Sequence, residues 1–393
     1  MSRFWQADWL SADRARAYGN LLSAAVLLFG AAALAYILWA APGDGPPRPL
    51  GNDFVAFWSG ARMALLGHPE AAYDFGALLP LEHAAARIDS GGFPYLYPPV
   101  WMMLCLPFAA LPYTVALLAF QAVFAGLFLS CLHRLLPAGW PLLPQIALPA
   151  AMLNAVIGQN GCVTALCFAA AALLLERRPW MAGACLGALV CKPQLALCVP
   201  VALLAAGRWR ALAATAGTAG MLIGASWALL GGGAWRAFAA ATPAIGAVLR
   251  NPEVWPKTVS VFAALRHLGA GFGASMAVQG AAAFLALACV AAICLRQPGA
   301  RTEIAAAAAG AMLCTPYLMD YDLACLAVPL AVLACTGAAT VFLGGEKMVL
   351  ATGYLAPLCA RGLTLAAGVP LVPLLAGALL TFLALRTARR QAA

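Results

Sequence analysis

Asp53 stands about a dozen residues beyond a long apolar stretch, flanked by Asn52 and Phe54. A carboxylate at such a boundary, among aromatic rings that lower the local dielectric, is suited to act as a general base, because partial desolvation raises its affinity for a proton. The competing reading is a helix cap, since Asn52 and Asp53 precede a helix-capable run over 54–66. Asp74 closes a turn rich in Gly, His, Pro and Glu, where it either meets a sugar hydroxyl or caps the next short helix. Tyr95 and Tyr97 alternate around Leu96 just before Pro98-Pro99. Such rings serve as interfacial belt residues or stack on a sugar face.

Further along, Gln159 and Asn160 form the middle of a GQNG turn between two apolar runs, where a plain turn is sufficient explanation. Lys192 is harder to explain as scaffold. An ammonium in so apolar a segment is costly and calls for an anion, yet no carboxylate is near it in sequence. A lipid phosphate is the expected partner, with snorkelling to the interface as the alternative. The segment TPYLMDYDL sets Asp320 and Asp322 between Tyr317 and Tyr321 at the edge of an apolar helix, where lining a polar site costs less than facing lipid. Lys257, with Arg250 and Arg266, could meet a phosphate or remain a solvated loop charge.

The elements that position these groups are set by composition. Charged residues make up 9% of the 393 residues and hydrophobic residues 64%, with a mean hydropathy of +0.88. A chain this apolar is no ordinary soluble domain, and runs of about 20 apolar residues recur almost end to end. The first, 21–41, is expected to be a retained anchor because no small-residue cleavage site follows it. The thirteen Cys are scattered singly, with no metal-ligand spacing, and are expected to be buried hydrophobes. The net charge of +9 sits in short loops, where basic residues set topology; no stacking motif supports nucleic-acid binding.

Arg3, Arg14 and Arg16 precede the first span, and Arg386, Arg389 and Arg390 follow the last, so both termini are expected to be cytoplasmic. The crossing number is then even, about twelve, in one domain over 1–393. An outer loop over 42–112 carries juxtamembrane helices, and a second outer loop covers 232–271. The stretch 98–112 is too short to span and is expected to be an interfacial helix beginning at Pro98-Pro99. Lys192-Pro193 is expected to divide 178–208 into two short helices. The remaining expected spans include 141–157, 160–175, 211–231 and 302–317.

In order along the chain, DF…FWSGARMALLGHPEAAYD, FPYLYPPVWMMLCLPFAALP, the GQNG turn, RRPWMAGACLGALVCKPQLAL and TPYLMDYDLACLAVP resemble the membrane glycosyltransferases of the GT-C class, family 87 in particular. The resemblance covers about residues 50–335. It implies an all-α polytopic bundle with amphipathic helices in the first outer loop. It also implies a sugar donor carried on polyprenyl phosphate, with mannose the expected sugar, and Asp53 as the base. The second outer loop reads NPEVWPKTVSVF where the family pattern would place an Asn-rich stretch.

The expected protein is therefore a multi-pass enzyme of the bacterial plasma membrane that transfers a sugar, with inversion, to a hydroxyl of a lipid or glycan acceptor. Asp53 is its base, and Asp74, Tyr95, Tyr97, Gln159, Asn160, Lys192, Lys257, Tyr317, Asp320 and Asp322 are its candidate binding residues. Membrane lipids are its other expected partners. No cofactor and no metal ligand is assigned, and divalent-metal dependence is left open. No nucleotide-binding glycine motif is present, which suits a lipid-linked donor. The rival class is a secondary transporter, which twelve helices and a break at Lys192-Pro193 would also suit.

Overall fold

The computed structural model describes residues 6–7, 9–39, 51, 53–86, 91–252 and 255–392. Arg3, Asn52 and the beginning of the first outer loop, 42–50, lie outside these residues. Among the described residues every regular element is helical, apart from a single antiparallel bridge between Thr258 and Met319. Among these residues seven helices are long and apolar enough to cross a membrane: Ala12–Ala32, Tyr113–Leu135, Trp209–Arg250, Phe272–Cys294, Asp320–Ala339, Glu346–Ala367 and Leu371–Gln391. The chain is an all-helical membrane protein.

Seven is fewer than the expected twelve, and the difference lies in short helices. The region 141–157 is divided into Leu143–Ile146 and Pro149–Ile157, each with a proline in its first turn. Gly161–Leu174 has 14 residues. At about 1.5 Å per residue it reaches roughly 21 Å, short of an apolar layer of about 30 Å. Ala300–Cys314, in the place expected for a span over 302–317, has 15 residues and is almost wholly buried among its neighbours. Its run of alanines presents a thin surface that lets other helices approach closely.

Two expected breaks form. Pro99–Ala109 is a helix of 11 residues with Pro98 at its cap. Around Lys192 the helix Pro179–Gly187 tightens through Ala188–Cys191, stops at Lys192 (φ −142°, ψ 67°) and restarts as Cys198–Ala205. Much of 232–271, the expected second outer loop, is helix. Trp209–Arg250 kinks at Gly231 (φ 77°) and then continues, since the alanine-rich sequence beyond the kink favours helix. The rest of the segment holds the turn Trp255–Lys257 and the helix Val261–His267.

The core has two parts. The larger surrounds Ala300–Cys314. The smaller is aromatic and fastens the helix Phe54–Leu65 to the bundle. There Phe57 meets Trp101 edge-on at 5.3 Å and Trp101 meets Phe120 at 6.0 Å, in contacts worth about 0.5–1.5 kcal/mol each beyond the area they bury. Trp58 Nε1 donates to Leu111 O at 2.9 Å and Arg62 donates to Ala109 O at 3.3 Å, tying the same helix to the end of Pro99–Ala109. These contacts fix the helix that follows Asp53.

Candidate active site

The GQNG turn holds the site together, and its two glycines explain how. Gly158 ends the helix Pro149–Ile157 in the left-handed region (φ 79°), and a Cβ there would lie 2.7 Å from Gly51 Cα. On the other side, a Cβ on Gly161 would lie 2.1 Å from Tyr321 O. The turn is thus wedged between the first loop and the segment Asp320–Leu326, with no room for a side chain at either glycine. Asp53 N–H donates to Ile157 O at 3.0 Å, and Asn154 Nδ2 donates to Tyr321 O at 3.0 Å, so both sides of the wedge are hydrogen-bonded. Three segments far apart in sequence meet here.

Gln159 and Asn160, both buried, point into that junction. Gln159 Nε2 donates to Asp53 Oδ2 at 2.8 Å, and Gln159 Oε1 accepts from the Tyr97 hydroxyl at 3.1 Å. Asn160 Oδ1 accepts from Lys192 Nζ at 3.2 Å. Lysine only donates, so this contact fixes which way the Asn160 amide points. Asn160 Nδ2 is buried with no hydrogen-bond partner among the described residues. A plain turn would not bury two amides so deeply. Here they join Asp53 to Tyr97 and Lys192.

Lys192, expected to meet a lipid phosphate, meets a protein carboxylate in the fold. Lys192 is 1% exposed, and its Nζ donates to Asp322 Oδ1 at 2.5 Å. Asp322, itself fully buried, accepts the Met319 N–H at 3.2 Å through its other oxygen. The Tyr321 ring lies 4.5 Å from the same ammonium. Lys192 and Asp322 are 130 positions apart, which is why no local sequence signal joined them.

Asp53 occupies the cap position of Phe54–Leu65, yet its side chain makes no capping bond. Its carboxylate is half-buried and turned to Gln159 instead. Burial pushes its pKa above the ordinary value of 3.8, opposed by the Gln159 hydrogen bond and by the positive charges of Lys257, Lys192 and Arg361. Tyr97 stays a protonated donor, because burial first and the charges of Asp322 and Asp53 next hold its phenol well above its ordinary value. Oδ1 of Asp53 accepts no hydrogen bond from a described residue.

The other candidates divide. Tyr317 is half-buried and near enough to feel the charges of Lys192, Asp53 and Asp322. Asp320 pairs with Arg361 through Oδ2, while its Oδ1 is buried with no partner among the described residues. Lys257 is exposed at the accessible edge. Tyr95 packs inside the aromatic core, where its ring lies where a Cβ on Gly60 would be, so it is placed as scaffold. Asp74 is exposed and accepts the Gly76 and Ala77 N–H groups at 2.9 and 3.4 Å, as a helix cap does.

Arg361 and Asn154 were missed by sequence reasoning. The signal for Arg361 was available, since it is a cation well inside an apolar helix, the same argument that singled out Lys192. Among the described residues no three His, Cys, Asp or Glu side chains gather as metal ligands would.

The family model for glycosyltransferase family 87 matches residues 95–329, more than half of the chain. No curated protein and no solved structure matches it. The matched stretch includes Tyr97, the GQNG turn, Lys192 and Asp322. Asp53 and Arg361 lie outside it and join the site through Gln159 and Asp320.

Proposed function

The chain belongs to glycosyltransferase family 87, and from that premise we propose that this membrane glycosyltransferase moves a hexose, mannose first, from a polyprenyl-phosphate donor to an acceptor hydroxyl, with Asp53 as general base. One observation carries the assignment. Asp53 has one carboxylate oxygen held by Gln159 and the other free of described partners, on the half-exposed side of a buried polar network. A base needs that division, with one atom fixed for orientation and one open to the proton. The acceptor oxygen attacks the anomeric carbon as its proton passes to Asp53, and the electron pair of the old carbon–oxygen bond leaves with the lipid phosphate. A single displacement of this kind inverts the anomeric centre.

Tyr97 positions Gln159, which holds the base, and the amide N–H groups of Gln159 and Asn160 offer donors to the sugar, while Lys192 and Asp322 underlie them as a paired support. Tyr317 faces the accessible side, and Asp320 is buried beneath it, paired with Arg361 through Oδ2. Lipid and glycan hydroxyls are the acceptor classes. The reading keeps twelve crossings, cytoplasmic termini and a site on the outer face of the plasma membrane. It counts the short helices as crossings, with 178–208 contributing a pair, and the distribution of basic loops supports it. Membership in a glycosyltransferase family also decides against the transporter.

The test uses the purified full chain in lipid nanodiscs, with labelled polyprenyl-phosphate hexoses and, separately, nucleotide hexoses, in the presence of membrane lipid acceptors. Transfer from the lipid-linked donor alone, with inverted product, is the expected result. Transfer from the nucleotide sugar alone would sink the donor assignment.

A further inference from the structure

The buried network leaves Lys192 no direction free for a substrate. An ammonium has three protons, and around Nζ stand Asp322 Oδ1 at 2.5 Å, Asn160 Oδ1 at 3.2 Å and the Tyr321 ring at 4.5 Å. A phosphate would have to displace Asp322 and leave a buried carboxylate unpaired. The cations that remain available lie on the accessible side.

Arg361 is one of them. Its side chain is 40% exposed, and among the described residues its guanidinium meets only Asp320. A guanidinium carries five N–H donors in a planar fork, so most of them remain open. Lys257 is the other, exposed and paired with no described carboxylate. The backbone brings the two to one rim. Thr258 is bridged to Met319, and Val259 N–H donates to Leu318 O at 2.8 Å, so the residues after Lys257 run antiparallel to those before Asp320. The helix that carries Arg361, Glu346–Ala367, packs against both Trp255–Lys257 and Asp320–Leu326. Asp53 feels both positive charges.

We infer that Arg361 and Lys257 form the seat for the phosphate of the lipid-linked donor, Arg361 by paired N–H contacts and Lys257 as a point charge, with Asp320 holding Arg361 in place. The assignment rests on the reading above that the donor is a polyprenyl-phosphate sugar. It fits the course of the charge: the donor phosphodiester carries one negative charge, and when the anomeric carbon–oxygen bond breaks the lipid phosphate leaves as a monoester with two. Preorganised cations at that oxygen stabilise the developing charge, so they act on the chemical step as well as on binding.

The probe is undecaprenyl phosphate, titrated into the full chain in phosphatidylcholine nanodiscs and followed by intrinsic tryptophan fluorescence. Inorganic phosphate and phosphatidylglycerol serve as parallel arms to separate lipid-linked phosphate from free phosphate and from a general anionic headgroup. Arg361→Gln is expected to weaken undecaprenyl phosphate binding by about ten- to a hundredfold, with Lys257→Gln nearer tenfold and Arg361→Lys intermediate. Since the cations lower the Asp53 pKa, either loss should also move the acid limb of the transfer rate to higher pH, which a purely structural role would not do.

Removing Arg361 leaves Asp320 without its partner, so the double variant Arg361→Gln with Asp320→Asn keeps the region neutral. Lys257→Gln alters an exposed residue and carries the test alone if the Arg361 variants fail to fold. Wild-type affinity in Lys257→Gln and in whichever Arg361 variants fold would overturn the seat while leaving the lipid-donor reading intact. Equal binding of phosphatidylglycerol by the wild type would overturn it in favour of a headgroup site, and equal binding of inorganic phosphate in favour of a free-phosphate site. No binding of undecaprenyl phosphate by an active wild type would defeat the donor reading itself.

Discussion

Replacing Asp53 by Asn separates chemistry from architecture unusually well at this position. The Asp53 side chain makes no capping bond, so the start of Phe54–Leu65 does not depend on it. The main chain is held by Asp53 N–H to Ile157 O at 3.0 Å and Phe54 N–H to Gly51 O at 2.8 Å, both independent of the side chain. An Asn oxygen can accept the Gln159 N–H that Asp53 Oδ2 accepts at 2.8 Å. The amide also removes a partly desolvated charge, so stability should hold or rise slightly. What disappears is the proton acceptor. A general base contributes about a hundred- to ten-thousandfold in rate, or roughly 3–5 kcal/mol of barrier.

Single-turnover transfer from labelled donor in nanodiscs should fall by that factor, with undecaprenyl phosphate binding retained. Asp53 must be ionised to act, so the wild-type rate should fall as pH drops through its raised pKa, on a limb above pH 3.8. The residual rate of Asp53→Asn should lack that limb. Asp74→Asn, at an exposed helix cap, should transfer at close to the wild-type rate. Near-normal transfer by a folded Asp53→Asn protein would refute the base assignment.

Lys192→Met should destabilise the fold by about 3–5 kcal/mol because it strands the buried Asp322, whereas Lys192→Met combined with Asp322→Leu should recover much of that loss. Thermal unfolding followed by fluorescence distinguishes the cases, and a single variant as stable as the wild type would show that the pair is not a structural support. Glu82 is fully buried and accepts the Phe93 N–H at 2.8 Å, and burial raises its pKa to about 7. Its folded form binds the proton more tightly than the unfolded chain does, so its contribution to stability is largest below pH 4.5 and is lost as pH rises to about 7. Glu82→Gln should flatten that decline and be the more stable protein at pH 8; an unchanged slope in unfolding scans at pH 5 and pH 8 would discount Glu82.

The sequence by itself determined that this is a helical membrane protein, where several of its helices end and to which family it belongs. These are local properties: apolar run length, proline in first turns, Pro193 after Lys192 and short motifs in a fixed order. It also singled out Asp53, Lys192 and the TPYLMDYDL acids, because an ionisable group in an apolar segment stands out by its cost. The number of long helices was less legible, since run length does not show that 141–157 divides at Ala147-Leu148 or that Ala300–Cys314 is packed inside the bundle. The partnerships belonged to the tertiary structure alone. Gln159 reaches Asp53 across 106 positions, Lys192 reaches Asp322 across 130, and Arg361 reaches Asp320 across 41. A helix apolar on every side carries no periodic mark of which face turns inward, so its pairings are decided by how the helices cross. In a low dielectric those crossings also settle whether a lysine is a free cation or half of a buried pair.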